Sequence, residues 1–199
     1  MGHRGAIFQA AENGYNSSLS CTPKEVMNQI LEKLVDGDRR SIGRSNEVVA
    51  DVLKNPAFFE SVFDGMLHKD PIIRMRAADA VEKITARHPE YLLLYKQKLI
   101  QTVAKSTQQE VRWHVAQMLP RLPLTDEERA NAVEILLDYL NDKSKIVKTF
   151  AMQALTDFAM RDATLRPQVI LVLEDLTGTG SPDMKSWGRK LLATLNHIE

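Results

Sequence analysis

Four cations recur at nearly constant spacing: Arg74, Arg112, Lys148 and Lys185 are separated by 38, 36 and 37 residues. A row of positive charges at one repeated position could hold the carboxylates of an acidic peptide or a run of phosphates. The same row could instead brace the junctions between repeated units, with Asp70 and Asp183 close enough in sequence to serve as partners. Ordinary surface pairs of that kind contribute little, and both readings are open. The next position holds Met75, Trp113, Thr149 and Ser186, which a helical wheel points about 180° from the buried face. An outward Met and an outward Trp on neighbouring units would form an anchor site, because aromatic side chains carry much of an interface's energy. Alternatively, loops or the N-terminal residues cover Trp113. Met152 and Arg189 complete a candidate partner-binding set of Arg74, Met75, Arg112, Trp113, Lys148, Met152, Lys185 and Arg189.

Catalytic and metal chemistry find little support. His3, His68, His88, His114 and His197 form no metal-ligand spacing. Cys21 is the only cysteine, which excludes an internal disulfide and a cysteine-rich zinc site and fits a reducing, cytosolic compartment. The run Thr177-Gly178-Thr179-Gly180-Ser181 superficially suggests a phosphate loop. It lacks the Gly-Lys-Ser/Thr ending and follows no strand, so it is a helix stop and a new cap. Asp36-Gly37-Asp38 is a turn without the remaining ligands of a calcium loop. No nucleophile elbow, His-Glu-x-x-His pair or Cys with a His partner is present. The expectation is a non-enzyme with no cofactor and no small-molecule substrate.

These residues must be positioned by helices. At 44% hydrophobic and 26% charged, the chain is apolar enough to fold, and its zero net charge draws it neither to nucleic acid nor to anionic membrane. The longest apolar clusters, at 91–95 and 169–173, fall far short of the roughly 20 residues that span a bilayer. Residues 1–21 read as a flexible lead-in. Helix starts are marked by capping boxes at Thr22 to Glu25, Thr107 to Glu110 and Thr125 to Glu128. Asn55-Pro56, Asp70-Pro71 and Ser181-Pro182 mark three more. Apolar residues then recur at three- and four-residue spacing, which predicts helices over 22–35, 43–54, 56–68, 71–87, 89–105, 108–121, 126–141, 144–160, 165–177 and 182–196.

Every second helix carries the same pattern, over 73–84, 111–122, 147–158 and 184–195. Apolar or small residues occupy offsets 0, 4, 7, 8 and 11 of each copy, and offset 1 is always Arg or Lys. A weaker copy over 42–53 has Gly43 in place of the cation and Asn46 in place of the small residue. The segment "DPIIRMRAADAVEKI" resembles the second helix of a HEAT repeat, with its Asp-Pro start, basic residue and alanine-rich core. The resemblance covers residues 57–196.

It implies an all-α, right-handed alpha-alpha superhelix of about four to five helix pairs over 22–199. A weak first unit spans 22–54, and the others span about 56–87, 89–121, 126–160 and 165–196. It also implies that second helices line a concave face. Second helices are net basic and first helices net acidic, so that face is expected to be basic and to receive a partner protein or acidic peptide. The competing expectation is nucleic acid, since one HEAT-like family consists of alkylpurine DNA glycosylases. This chain has Trp113 and Trp187 but no clear match to their catalytic Asp.

Overall fold

The computed structural model describes residues 29–35 and 41–197. The lead-in over 1–21, the capping box at Thr22 and the turn at Asp36 lie outside the described residues. A helical turn at 29–32 precedes α1 (Ser45–Lys54). There follow α2 (Phe59–Gly65), α3 (Pro71–Arg87), α4 (Lys96–Gln101), α5 (Gln109–Met118), α6 (Asp126–Tyr139), α7 (Lys145–Arg161), α8 (Arg166–Thr179) and α9 (Pro182–Asn196). No strand occurs among the described residues, and none of their helices is long and apolar enough to cross a membrane.

Successive second helices pack directly on one another: α1 on α3, α3 on α5, α5 on α7 and α7 on α9. Each also packs on a first-helix segment of its own unit, as α2 does on α3, α6 on α7 and α8 on α9. Successive first helices make at most sparse backbone contact. The second helices therefore form a continuous wall.

The repeat pattern explains this packing. Offsets 0, 4, 7, 8 and 11 are buried in every copy save for half-buried Leu192, and the buried residues form one uninterrupted cluster from Ile30 to Leu195. Offset 4 sets the closeness. A Cβ on Gly188 would lie 2.2 Å from the Thr177 hydroxyl and 3.3 Å from the Met152 terminal methyl. Only a hydrogen fits there. On the first-helix side an aromatic cluster joins two units, with Phe59 4.8 Å from Tyr91 and Phe63 4.7 Å from Tyr95, centroid to centroid.

Capping residues act largely as expected. Asp70 accepts from the Ile72 amide at 2.8 Å, and Thr125 and Glu128 form a reciprocal box. Four expectations need correction. The helix expected over 89–105 is a 3₁₀ segment, Pro89–Tyr95, then α4 and another 3₁₀ turn, Val103–Lys105. Pro89 starts it without a side-chain cap, and Tyr91 and Tyr95 are held by the phenylalanine rings.

The Thr107 box does not form. Its helix begins at Gln109 with Gln108 at the N-cap, and the Gln108 side chain goes to Arg74 and to the Pro71 carbonyl instead of capping. The same helix ends at Met118, and Pro120 sits in a 3₁₀ turn instead. The weak copy is displaced by one residue: Ser45, Val48, Val49 and Val52 are buried, so it runs over 41–52.

Gly188→Ala should destabilise the fold by about 1–3 kcal/mol through overpacking. Thr177→Ala in the same chain should recover most of that loss, since it removes the colliding hydroxyl. Urea unfolding of the two single variants and the double variant checks the coupling.

Candidate functional site

The cation row divides into two halves. Arg74 donates through Nη1 to the His68 carbonyl at 2.8 Å and the Lys69 carbonyl at 3.0 Å, and through Nε to Gln108 at 2.8 Å. Arg112 repeats the arrangement one unit on. It donates to the Ser106 carbonyl at 2.7 Å and to Asp142 at 3.1 Å, and its guanidinium lies 4.8 Å over the Tyr139 ring. Tyr139 donates in turn to the Ala104 carbonyl at 2.7 Å, and burial pushes its hydroxyl pKa well up. Both arginines thus hold carbonyls at the end of their own unit's first-helix segment while reaching the next unit. Asp70 is not their partner, being occupied with the Ile72 amide, and Asp183 makes no ion pair among the described residues.

Lys148 and Lys185, the second half of the row, are partly exposed and form no ion pair among the described residues. Arg189 is exposed, and Lys190 rests 5.5 Å over the Trp187 ring. Met152 is not available to a partner. It is 0% exposed, because offset 5 of its repeat copy turns towards α9 and packs against Gly188.

Met75 and Trp113 are brought together. They line a groove of about 460 Å³ with Ser41, Ile42, Arg76, Asp79, Glu110 and His114. Ile42 is well exposed and Met75 and Trp113 are half-buried, so the walls are apolar and reachable. Beneath them runs a charged floor. Arg76 is fully buried and donates to the Leu34 carbonyl at 2.8 Å and the Ser41 carbonyl at 3.1 Å. Gly43, at φ 55°, gives that guanidinium its room, since a Cβ there would lie 2.7 Å from Arg76 Cζ. Asp79 accepts from the buried Ser45 hydroxyl and from Lys83 at 2.7 Å. Lys83 also donates to Asn46 at 2.8 Å.

His114 sits beside Trp113 in an edge-on arrangement with centroids 5.7 Å apart. It is nine-tenths buried and its Nδ1 has no hydrogen-bond partner. Burial, the largest influence, pushes its pKa below the ordinary value of 6.5; Lys83 and Arg121 push the same way, and Asp79 and Glu82 oppose them. The imidazole is neutral at pH 7.

Sequence reasoning missed Arg76, Asp79 and His114 as groove residues. The available signal was the placement of Arg76, Asp79 and Lys83 at offsets 3, 6 and 10, repeated as His114, Gln117 and Arg121. Those offsets share one helical face.

A model of the HEAT repeat domain matches residues 38–191. The chain belongs to the HEAT-repeat family. HEAT repeats are helical scaffolds or interaction modules, which is the level at which family membership bears on function. Among solved structures, this HEAT chain is similar to the crystal structure of an engineered protein from the Northeast Structural Genomics Consortium. The identity is 16% and the TM-score 0.56, over 87% of this chain and 80% of the other. At that identity the likeness concerns the fold alone. No curated protein matches the sequence.

Two outcomes separate bracing from binding. Arg112→Lys should lose about 1.5–3 kcal/mol of stability, because an ammonium cannot reproduce the forked contacts; Lys185→Ala should stay within about 0.5 kcal/mol. Chemical denaturation reads both.

The second test concerns pH. Since His114 resists protonation in the folded state, the unfolded chain takes up its proton first as pH falls below 6.5. Its contribution is therefore a loss of stability running from 6.5 downward to the lower folded value. His114→Gln should remove that part of the decline, as read by denaturation midpoints at pH 7.5 and pH 5.5.

Proposed function

We propose that this HEAT-repeat chain is a non-catalytic interaction module whose second-helix wall receives a segment of a partner protein. The observation that carries this reading is the division of the wall: an apolar-walled groove at Met75 and Trp113 stands towards one end, and Lys148, Lys185 and Arg189, which form no ion pair among the described residues, stand towards the other. The groove offers an anchor point. The cations favour an acidic stretch further along the same segment, because opposite charges steer encounter and fix register.

Arg74 and Arg112 serve as positioning residues that hold adjacent units in place, since their donors are engaged within the chain. Cys21 as the single cysteine supports a cytosolic setting.

The test is comparative capture from a cell extract with wild type, with Trp113→Ala, and with Lys148→Glu/Lys185→Glu/Arg189→Glu combined. A 20-base-pair duplex is assayed in parallel at low and moderate salt. The expected result is a protein that wild type retains directly, with at least tenfold weaker retention by each variant. Retention indifferent to both changes would overturn the proposal. Duplex binding with a steep salt slope and no protein retained would move the function to nucleic acid.

A further inference from the structure

We propose that the aromatic groove on the first-helix side seats a second copy of this chain, the pair closing about a two-fold axis with each copy's Leu94 in the other's groove. This surface is separate from the second-helix wall, and the inference stands whatever that wall binds.

Leu94 is 92% exposed, more than any other large apolar side chain among the described residues. A single exposed leucine is ordinary, but this one stands on a patch. Leu93 beside it is 49% exposed, and the groove it borders, of about 400 Å³, is lined by Pro56, Phe59, Glu90, Tyr91 and Tyr95. The 3₁₀ segment Pro89–Tyr95 dictates the placement. Residues three apart eclipse in a 3₁₀ turn, so Leu94 stands in line with Tyr91, whose ring is held against Phe59.

This shape selects the occupant. An apolar side chain entering the groove would cover its floor and leave Leu94 in water, so a full match must offer a hollow next to a projecting apolar group. The patch itself has that form, and a two-fold axis beside Leu94 sets knob into hollow twice with one surface.

Charge favours the same pairing. Phe59 faces Tyr91 and Phe63 faces Tyr95, so α2 and the 3₁₀ segment run in the same direction past the groove. Where both enter, Lys54 and Arg87 are exposed and form no ion pair among the described residues. They outnumber Glu90, which is bonded to His88 at 3.0 Å. Towards the other end Glu60 is exposed and forms no ion pair among the described residues, whereas Asp64 is answered by Lys98 at 2.6 Å. Burial, then the charges of Glu60 and Asp64, push the Tyr95 hydroxyl pKa up, which puts the Glu60 carboxylate within electrostatic reach of that ring. The patch is thus basic at one end and acidic at the other. A two-fold axis reverses one copy against its partner and brings unlike ends together at both rims. A uniformly acidic or basic partner would gain at one end and lose at the other. Because the groove belongs to α2 and the 3₁₀ segment, pairing here leaves the second-helix walls of both copies open.

Sedimentation equilibrium of the full chain at low salt, over about 10 to 500 µM protein, tests this; a patch of this size predicts a dimer dissociation constant on the order of 100 µM. Leu94→Asp should weaken pairing about tenfold while leaving the urea unfolding midpoint unchanged, since the side chain is in solvent. Glu60→Arg and Arg87→Glu should each weaken it about fivefold, and the two reversals in one chain should restore it. A monomer throughout that range, a dimer indifferent to Leu94→Asp, a double reversal no better than either single one, or growth beyond two copies would each overturn the inference.

Discussion

No helix pair of this chain can cover its own apolar face, and the second helices meet that constraint by packing on one another at close range. The residue at offset 4 decides how close they come. Ser45, Ala77, Ala151 and Gly188 are small, and where Val115 is larger it is still fully enclosed. Because each unit supplies half of the interface that buries the next, the core is a spine running the length of the described stack. The exposed side of the same helices inherits its spacing from that spine. Met75 and Trp113 face one groove because α3 and α5 are neighbours at this distance.

Polar interlocks refine the stacking. Arg74 and Arg112 each gather carbonyls from their own unit and a side chain from the next, and Arg121 reaches back to Glu82 and Thr85 across the same junction as His114. Guanidinium groups suit this role because their fork spans two acceptors at fixed angles. Lysines stand at the equivalent positions of α7 and α9 and make no such contacts among the described residues. The cations of the second helices are therefore unevenly engaged: Arg74 and Arg112 are bound within the chain, whereas Lys148 and Lys185 form no ion pair among the described residues.

Much of the architecture was legible from the residues. The period appeared because burial demands the same offsets in every unit, and Asp70, Thr125 and Ser181 announced their helices by local capping chemistry. Other features depended on long-range contacts. Gly43 looked like a defect in the cation row, whereas it makes space for Arg76 arriving from another helix, and this shifted the apparent register by one residue. Thr107 had the form of a capping box, but Gln108 takes the N-cap position and its side chain joins Arg74 of the preceding unit. The 3₁₀ segment at Pro89–Tyr95 follows from rings on α2 that local periodicity cannot reveal. Of the expected site residues, Met75 and Trp113 share a groove and Met152 is enclosed, a distinction that rests on the rotation of each helix against its neighbour.

Arg76 has a mechanical consequence. Its buried guanidinium grips carbonyls at Leu34 and Ser41, which flank the segment between the first helical turn and α1. Prising the first unit from the second would strip a buried ionised group of its carbonyl acceptors before water could replace them, so a small gap is worse than a wide one. That junction should behave as a latch with closed and open positions and little between them, making the first two units one cooperative block within an otherwise modular array.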